Sequence, residues 1–233
     1  MWPPDAESLR DAQYELARLA PAPWQPPTDQ LSLGGCWVCF PRGLRGRGSA
    51  RDAAWAAAVV MRGGQVVAQQ VRRGRAGAPY VPGLLALRLG PLMEEAVSAL
   101  VTRPDVLLVD ATARDHRRRG GLALHLGAEL DLPTVGITHR PLIAQGEMPA
   151  DRRGATSRLS IDGEEVACWM RTRAGVRPVV VHPGWRVDLE SAVEIVAGTT
   201  GQRRTPEPLR RARRLARIAR QQAPASWTSI RGS

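Results

Sequence analysis

The chain has 233 residues, enough for one substantial domain with a buried core. With 43% hydrophobic and 24% charged residues, the composition is globular and excludes a disordered or fibrous chain. Three cysteines are too few for disulfide bonds to stabilise a fold of this size. No apolar run is long enough for a membrane span, and the first residues lack the positive charge of a signal peptide. We therefore expect a cytoplasmic protein that does not bind membranes.

The net charge of +11 is unevenly distributed along the chain. All 33 basic residues are arginines, and residues 201–233 hold nine of them with one glutamate, so this segment carries +8 and the rest of the chain +3. A coding bias can also replace lysine by arginine throughout a proteome. The charge by itself therefore does not identify a nucleic-acid-binding protein.

In the first half of the chain, the pattern predicts one helix and three antiparallel strands. Apolar residues at helical spacing predict a helix over residues 6–20, and a Pro-rich linker follows at 21–27. Strands are predicted over 31–40, 53–61 and 65–71. Gly63 and Gly64 between the last two strands are typical of a hairpin turn.

The second half predicts a strand–helix–strand unit preceded by a helix. A helix is expected over 84–100, with Pro91 as a kink, and then a wholly apolar strand over 106–109 that ends at Asp110. A helix over 122–130 and a strand over 133–138 would complete a parallel pair. The remaining elements are a hairpin of 158–161 and 165–170, a strand over 179–181, and helices over 189–196 and 207–222.

This order of elements is characteristic of the RNase H-like fold, an α/β architecture. Its mixed sheet has three antiparallel strands followed by parallel strands, and helices flank it. We predict one domain over residues 1–222, with the linker inside it and the basic helix 207–222 at its end. Residues 223–233 are expected to form a flexible tail.

Several short motifs then occur in a fixed order. The chain reads PYVPG at 79–83, DATARDHRRRGG at 110–121 and DLPTVGIT at 131–138, with HPGWRVDLESA at 182–192 and TPEPLRRA at 205–212. Over roughly residues 6–220, this order resembles that of the endonuclease V family. The residues that match are Pro79, Tyr80, Pro82, Gly83, Asp110, His116, Arg118, Arg119, Gly121, Ala123, His125, Asp131, Pro133, Thr134 and Gly136.

The resemblance implies a nuclease dependent on Mg²⁺ or Mn²⁺ that recognises deaminated adenine (inosine) in DNA or RNA, cuts a phosphodiester bond nearby and serves DNA repair. In the family, three carboxylates hold the divalent ion, which neutralises phosphate charge and activates water. The PYxPG loop is the family's wedge, inserted beside the damaged base. Here the wedge would comprise Pro79, Tyr80, Val81, Pro82 and Gly83.

The departures from the family pattern concentrate at the positions that carry the catalytic chemistry in the family. Trp37 stands where the family has its first metal carboxylate, and Leu89 stands where it has its second. The other substitutions are Ala111-Thr112-Ala113 for Gly-His-Gly, His139 for a lysine, Trp185 for a histidine and Arg213 for an aspartate. Asp110 and His116 remain as candidate catalytic residues, and Asp110 alone would be at most a weak metal ligand. Asp115 is the most plausible substitute carboxylate among the nearby acids, although a solvated surface acid is the preferred interpretation.

For nucleic acid, we predict contacts from the wedge and from Arg88, Arg117, Arg118 and Arg119. The alternative for these arginines is a solvated rim, because phosphate contact requires that they cluster in space.

Three hypotheses follow for the function. The first is a catalytically impaired, monomeric nucleic-acid-binding protein of endonuclease V type. The second is an active endonuclease with Mg²⁺ or Mn²⁺ and substitute ligands. The third is a protein-interaction role, with Trp37 in a repacked core.

Overall fold

The computed structural model describes residues 1–44, 46–224 and 227. Of the predicted flexible tail, 223–233, residues 225, 226 and 228–233 lie outside the described residues. Among the residues described, no helix is long and apolar enough to cross a bilayer.

The described part of the chain forms one mixed sheet flanked by helices, which confirms the predicted fold class. The strands are β1 (Ser32–Cys39), β2 (Ala53–Arg62), β3 (Gln65–Arg75), β4 (Val106–Val109), β5 (Thr134–Thr138), β6 (Thr156–Ile161), β7 (Glu164–Met170) and β8 (Val179–Pro183). The helices are α1 (Ala6–Arg18), α2 (Leu85–Ser98), α3 (Leu122–Leu130), α4 (Leu189–Thr200) and α5 (Glu207–Gln221). The predicted elements are all present; β4 and α3 have the predicted ends, and the ends of the others are shifted. Helix α2 continues through Pro91.

The sheet has the strand order β3-β2-β1-β4-β5-β8-β7-β6. The first three strands are antiparallel, β4 and β5 run parallel to β1, and β8 returns antiparallel to β5. The hairpin of β6 and β7 then extends the sheet beside β8. The parallel pair therefore lies in the centre, where both faces of the sheet are covered.

Two apolar layers cover the two faces of this sheet. Leu9 of α1, Leu92 of α2 and Leu124 of α3 belong to one buried cluster. Ile195 of α4 and Leu209 of α5 belong to the other. Because α5 lies directly on β1 and β2, its exposed arginine face borders the end of β1.

Candidate functional site

Trp37 and Asp110 meet at one edge of the sheet. Strands β1 and β4 are parallel neighbours, and Cys36 pairs with Val109. The residues that follow, Trp37 and Asp110, therefore lie side by side. The indole Nε1 of Trp37 donates a hydrogen bond of 2.9 Å to Oδ2 of Asp110. The tryptophan, which stands where the resemblance expects the first metal carboxylate, therefore contacts Asp110 directly.

The donor set at this edge does not fit Mg²⁺ or Mn²⁺. These hard cations take oxygen ligands, and Leu89 offers none, because its half-buried side chain packs against the apolar cluster of α1, α2 and α3. No group of three His, Cys, Asp or Glu side chains within the described ranges is placed to hold a metal ion. Asp110 has the indole N–H donor of Trp37 as its neighbour, and its role as a weak metal ligand stays a prediction.

Asp115 does not supply the missing ligand. Its carboxylate is completely buried and accepts hydrogen bonds from the backbone N–H groups of residues 142, 143 and 144, at 2.7, 2.9 and 2.8 Å. The expectation of a solvated surface acid was wrong for this residue. Asp115 instead fixes the segment that follows β5, because three N–H donors satisfy a buried carboxylate.

A pocket of about 180 Å³ opens beside Asp110. The wedge contributes Tyr80 and Gly83 to its lining, and the segment after β4 contributes Asp110, Thr112 and His116. Tyr80 is 44% exposed at this pocket, although its ring is apolar. The structure thus brings together the wedge and the retained motif residues around one cavity.

Three side chains hold the end of the wedge through a single carbonyl. The carbonyl oxygen of Gly83 lies 3.0 Å from Nε2 of Gln13, 3.0 Å from a guanidinium nitrogen of Arg118 and 3.1 Å from Nε2 of His116. Arg118 also donates through Nε to Oε1 of Gln13, at 2.6 Å. Gly83 itself has φ +79°, a left-handed conformation that glycine adopts without strain.

His116 acts as a neutral support in this arrangement. Burial, followed by the charge of Arg118, lowers the pKa of His116 to about 4. Its Nδ1 accepts from the backbone N–H of Arg118 at 3.2 Å, so Nε2 carries the proton and donates to Gly83. Since both ring nitrogens are engaged, the geometry favours a positioning role over the predicted catalytic one.

Of the predicted nucleic-acid contacts, Arg88 is turned into the protein. Its side chain is 6% exposed and donates to the carbonyls of Ser49 and Ala78, at 3.0 and 2.6 Å, and to Asp52, at 2.8 Å. The guanidinium carbon also lies 4.3 Å from the centroid of the Phe40 ring. Arg88 therefore joins two loops, and its burial contradicts the expected contact with a phosphate.

The three consecutive arginines differ in their surroundings. Arg118 supports the wedge, and Arg119 lies between the carboxylates of Asp162 and Glu164, at 3.6 and 3.5 Å. Arg117 is the exposed member of the three. Of the predicted cluster, Arg117 is thus exposed, and Arg118 and Arg119 are half-buried.

Two functional features were missed by the sequence interpretation. Gln13 is 1% exposed, lies on the apolar side of α1 and contacts the wedge. Its position four residues after Leu9, on the same face of the helix, is the sequence feature that could have indicated this buried role. The second feature is the contact of α5 with Trp37, whose ring centroid lies 5.3 and 5.5 Å from the guanidinium carbons of Arg213 and Arg217.

Comparison with known proteins places this geometry in a family. The sequence profile of the Endonuclease V family matches residues 43–214. An Endonuclease V from Streptomyces coelicolor is 39% identical over 221 residues, covering 94% of this chain and 92% of that protein. The crystal structure of the Endonuclease V from Streptomyces avermitilis superposes with a TM-score of 0.84 at 37% identity, covering 94% and 95% of the two chains.

A more distant structure has the same fold. It is the Ciona intestinalis Endonuclease V (D234N) in complex with a 23mer DNA containing an inosine followed by a ribo-adenosine. It superposes with a TM-score of 0.75 at 22% identity, over 92% of this chain and 96% of that one. The profile match and the Streptomyces relatives together establish that this chain belongs to the endonuclease V family.

Proposed function

We propose that this protein binds nucleic acid in the manner of its family but is impaired in the hydrolytic step. The hydrogen bond from Trp37 to Asp110 carries the proposal, because it occupies one oxygen of the carboxylate with a donor. A cation at that oxygen would face the positive edge of an N–H group. Leu89 adds an apolar side chain where a second ligand would be required.

The charge around Trp37 also disfavours a divalent cation. Arg213 and Arg217 place two guanidinium groups over the indole ring, and neither forms an ion pair with a carboxylate of the described residues. These guanidinium groups would repel a bound cation, and the repulsion is strongest where water is partly excluded. A cation beside Asp110 would therefore meet both a short supply of ligands and an unfavourable potential.

The pocket beside Asp110, here called the base pocket, supports the proposal that nucleic-acid binding is retained. The wedge is held by Gln13, His116 and Arg118, and Tyr80 presents an exposed ring at the cavity. Aromatic side chains of this kind stack on unpaired bases. Since the Ciona protein was crystallised with DNA that contains inosine, an inosine-containing strand is the ligand of first choice for this pocket.

The test uses labelled DNA and RNA oligonucleotides, each with one inosine, and the purified protein with Mg²⁺ or Mn²⁺. We expect binding that weakens with salt and no cleavage above that of Asp110→Ala. Cleavage that depends on Asp110 would contradict the impairment and support the alternative of an active endonuclease. Absence of binding at low salt would contradict the proposed function as a whole and leave a protein-interaction role.

We further propose that the protein is a monomer in the cytoplasm. Light scattering of the purified protein measures its mass in solution. A mass of twice 25.3 kDa would contradict the monomer.

A further inference from the structure

An open groove runs along α5 next to Trp37. It encloses about 620 Å³ between the exposed face of the helix and residues 203–205. Six of the described residues that line this arginine groove are arginines, namely Arg203, Arg204, Arg210, Arg213, Arg214 and Arg217. The groove therefore gathers four arginines of α5 and two from the segment before it.

The charge of the arginine groove is poorly neutralised by the protein. Glu207 is shared between Arg210 and Arg211. Among the described residues, no carboxylate lies within ion-pair distance of Arg213, Arg214 or Arg217. Burial and the neighbouring Arg213 and Arg220 lower the pKa of Arg217, as expected for crowded like charges. Such a cluster is stabilised by an anion that enters the groove.

The arginine groove adjoins the base pocket through Trp37. One part of the indole contacts Arg213 and Arg217, and its Nε1 donates to Asp110, which lines the pocket. His139 lies in the same region: burial and then Arg204 and Arg213 lower its pKa, while Asp110 acts in the opposite direction. A nucleic-acid strand with a base in the pocket would consequently bring its phosphates to the guanidinium groups.

We propose that the arginine groove binds the phosphate backbone of that strand without a metal ion, with Arg213 and Arg217 neutralising the charge. The guanidinium group suits this task, since its planar array of N–H donors matches the oxygens of a phosphate. The ring of Trp37 lies 5.3 and 5.5 Å from the two guanidinium carbons, and among the described residues neither group donates a hydrogen bond to a side chain or pairs with a carboxylate. This inference rests on the proposed nucleic-acid binding and specifies how the backbone is held.

The experiment measures binding of an inosine-containing oligonucleotide by fluorescence anisotropy. Wild type is titrated in EDTA and in Mg²⁺ at matched ionic strength, and we expect equal affinity. Arg213→Ala and Arg217→Ala should each weaken binding about tenfold at low salt. Each should also reduce the slope of log K against log salt by about 0.7 on a single strand, because one phosphate contact is lost.

Arg211→Ala is the matched control on the same helix. Arg211 pairs with Glu207 and lines a different cavity, beside Gly63 and Gly64, so its removal deletes the same charge outside the arginine groove. We expect this variant to bind within about twofold of wild type. All three variants replace arginine by the best helix former, and circular dichroism verifies that α5 is retained.

The outcomes separate this inference from the proposed function. The proposal for the arginine groove would be overturned if the wild type needed Mg²⁺ to bind the oligonucleotide. It would also be overturned if Arg211→Ala weakened binding as much as Arg213→Ala and Arg217→Ala do. Binding unchanged in both groove variants would also overturn it and leave the proposed function intact. A wild type that does not bind the oligonucleotide in any buffer would overturn both.

Discussion

At the scale of single residues, Trp37 and Leu89 carry the proposed impairment of hydrolysis. Trp37 donates to the carboxylate and Leu89 packs into the apolar layer, so neither offers an oxygen. Both lie on ordinary elements, β1 and α2, whose backbones do not depend on these side chains for their hydrogen bonds. Each element can therefore keep its backbone structure whichever side chain stands at position 37 or 89.

The double substitution Trp37→Asp with Leu89→Glu should create a metal site. Together with Asp110, the new side chains provide three carboxylates, and hard divalent cations bind such oxygen ligands. We expect Mn²⁺ binding by isothermal titration calorimetry where the wild type shows none. The same double variant carrying Asp110→Ala is the control and should lose the signal. A folded double variant that fails to bind Mn²⁺ would show that these two residues are not what prevents metal binding.

At the scale of elements, the close approach of α5 to β1 positions the arginine groove. A Cβ atom on Gly35 would lie 2.3 Å from the carbonyl carbon of Pro208 and 2.7 Å from the backbone nitrogen of Leu209. Neither backbone atom can move aside as a flexible side chain would. The absence of a side chain at Gly35 is therefore what allows the start of α5 to contact the strand that carries Trp37.

Gly35→Ala should lower the free energy of unfolding by about 1–3 kcal/mol, because overpacking forces α5 away from β1. Gly198→Ala is the matched control, since nothing lies within 4 Å of its Cβ position on the exposed side of α4. There, alanine should raise the free energy of unfolding by about 0.5–1 kcal/mol through its helix propensity. Urea denaturation measures both. Equal effects of the two substitutions would contradict the close contact at Gly35.

At the scale of the whole molecule, two buried histidines link stability to pH. Burial lowers the pKa of His116 and of His182 to about 4, from 6.5 in an unfolded chain. The unfolded state thus binds protons more readily between these values. The free energy of unfolding should be greatest above pH 6.5 and fall toward pH 4, by up to about 3 kcal/mol for each histidine.

Thermal or urea unfolding between pH 7 and pH 4 tests this dependence. His116→Gln should flatten the decline, because the amide removes a group that binds a proton in the unfolded state but hardly does so in the folded state over this pH range. His182→Gln should flatten it by a similar amount, independently of the first. Identical pH profiles for wild type and both variants would mean that the decline arises from other groups.

The amino-acid sequence by itself determined the order of strands and helices. Hydrophobic periodicity predicts each element, and the apolar run before Asp110 predicts a strand covered on both faces. The order of short motifs also indicated the family resemblance, from which the wedge and the two replaced carboxylates at Trp37 and Leu89 are predicted. These features are readable because they depend on residues that are neighbours in the chain or on a fixed order of motifs.

Only the tertiary structure decided what the charged and polar side chains do. Arg88 is bound by carbonyls of residues 49 and 78, and Asp115 by N–H groups of residues 142–144, so both face inward. The contact of Arg213 and Arg217 with Trp37 joins positions more than 170 residues apart. A charged side chain has the same local sequence signature on a surface and in a satisfied interior, and its partners come from distant segments that only folding brings together.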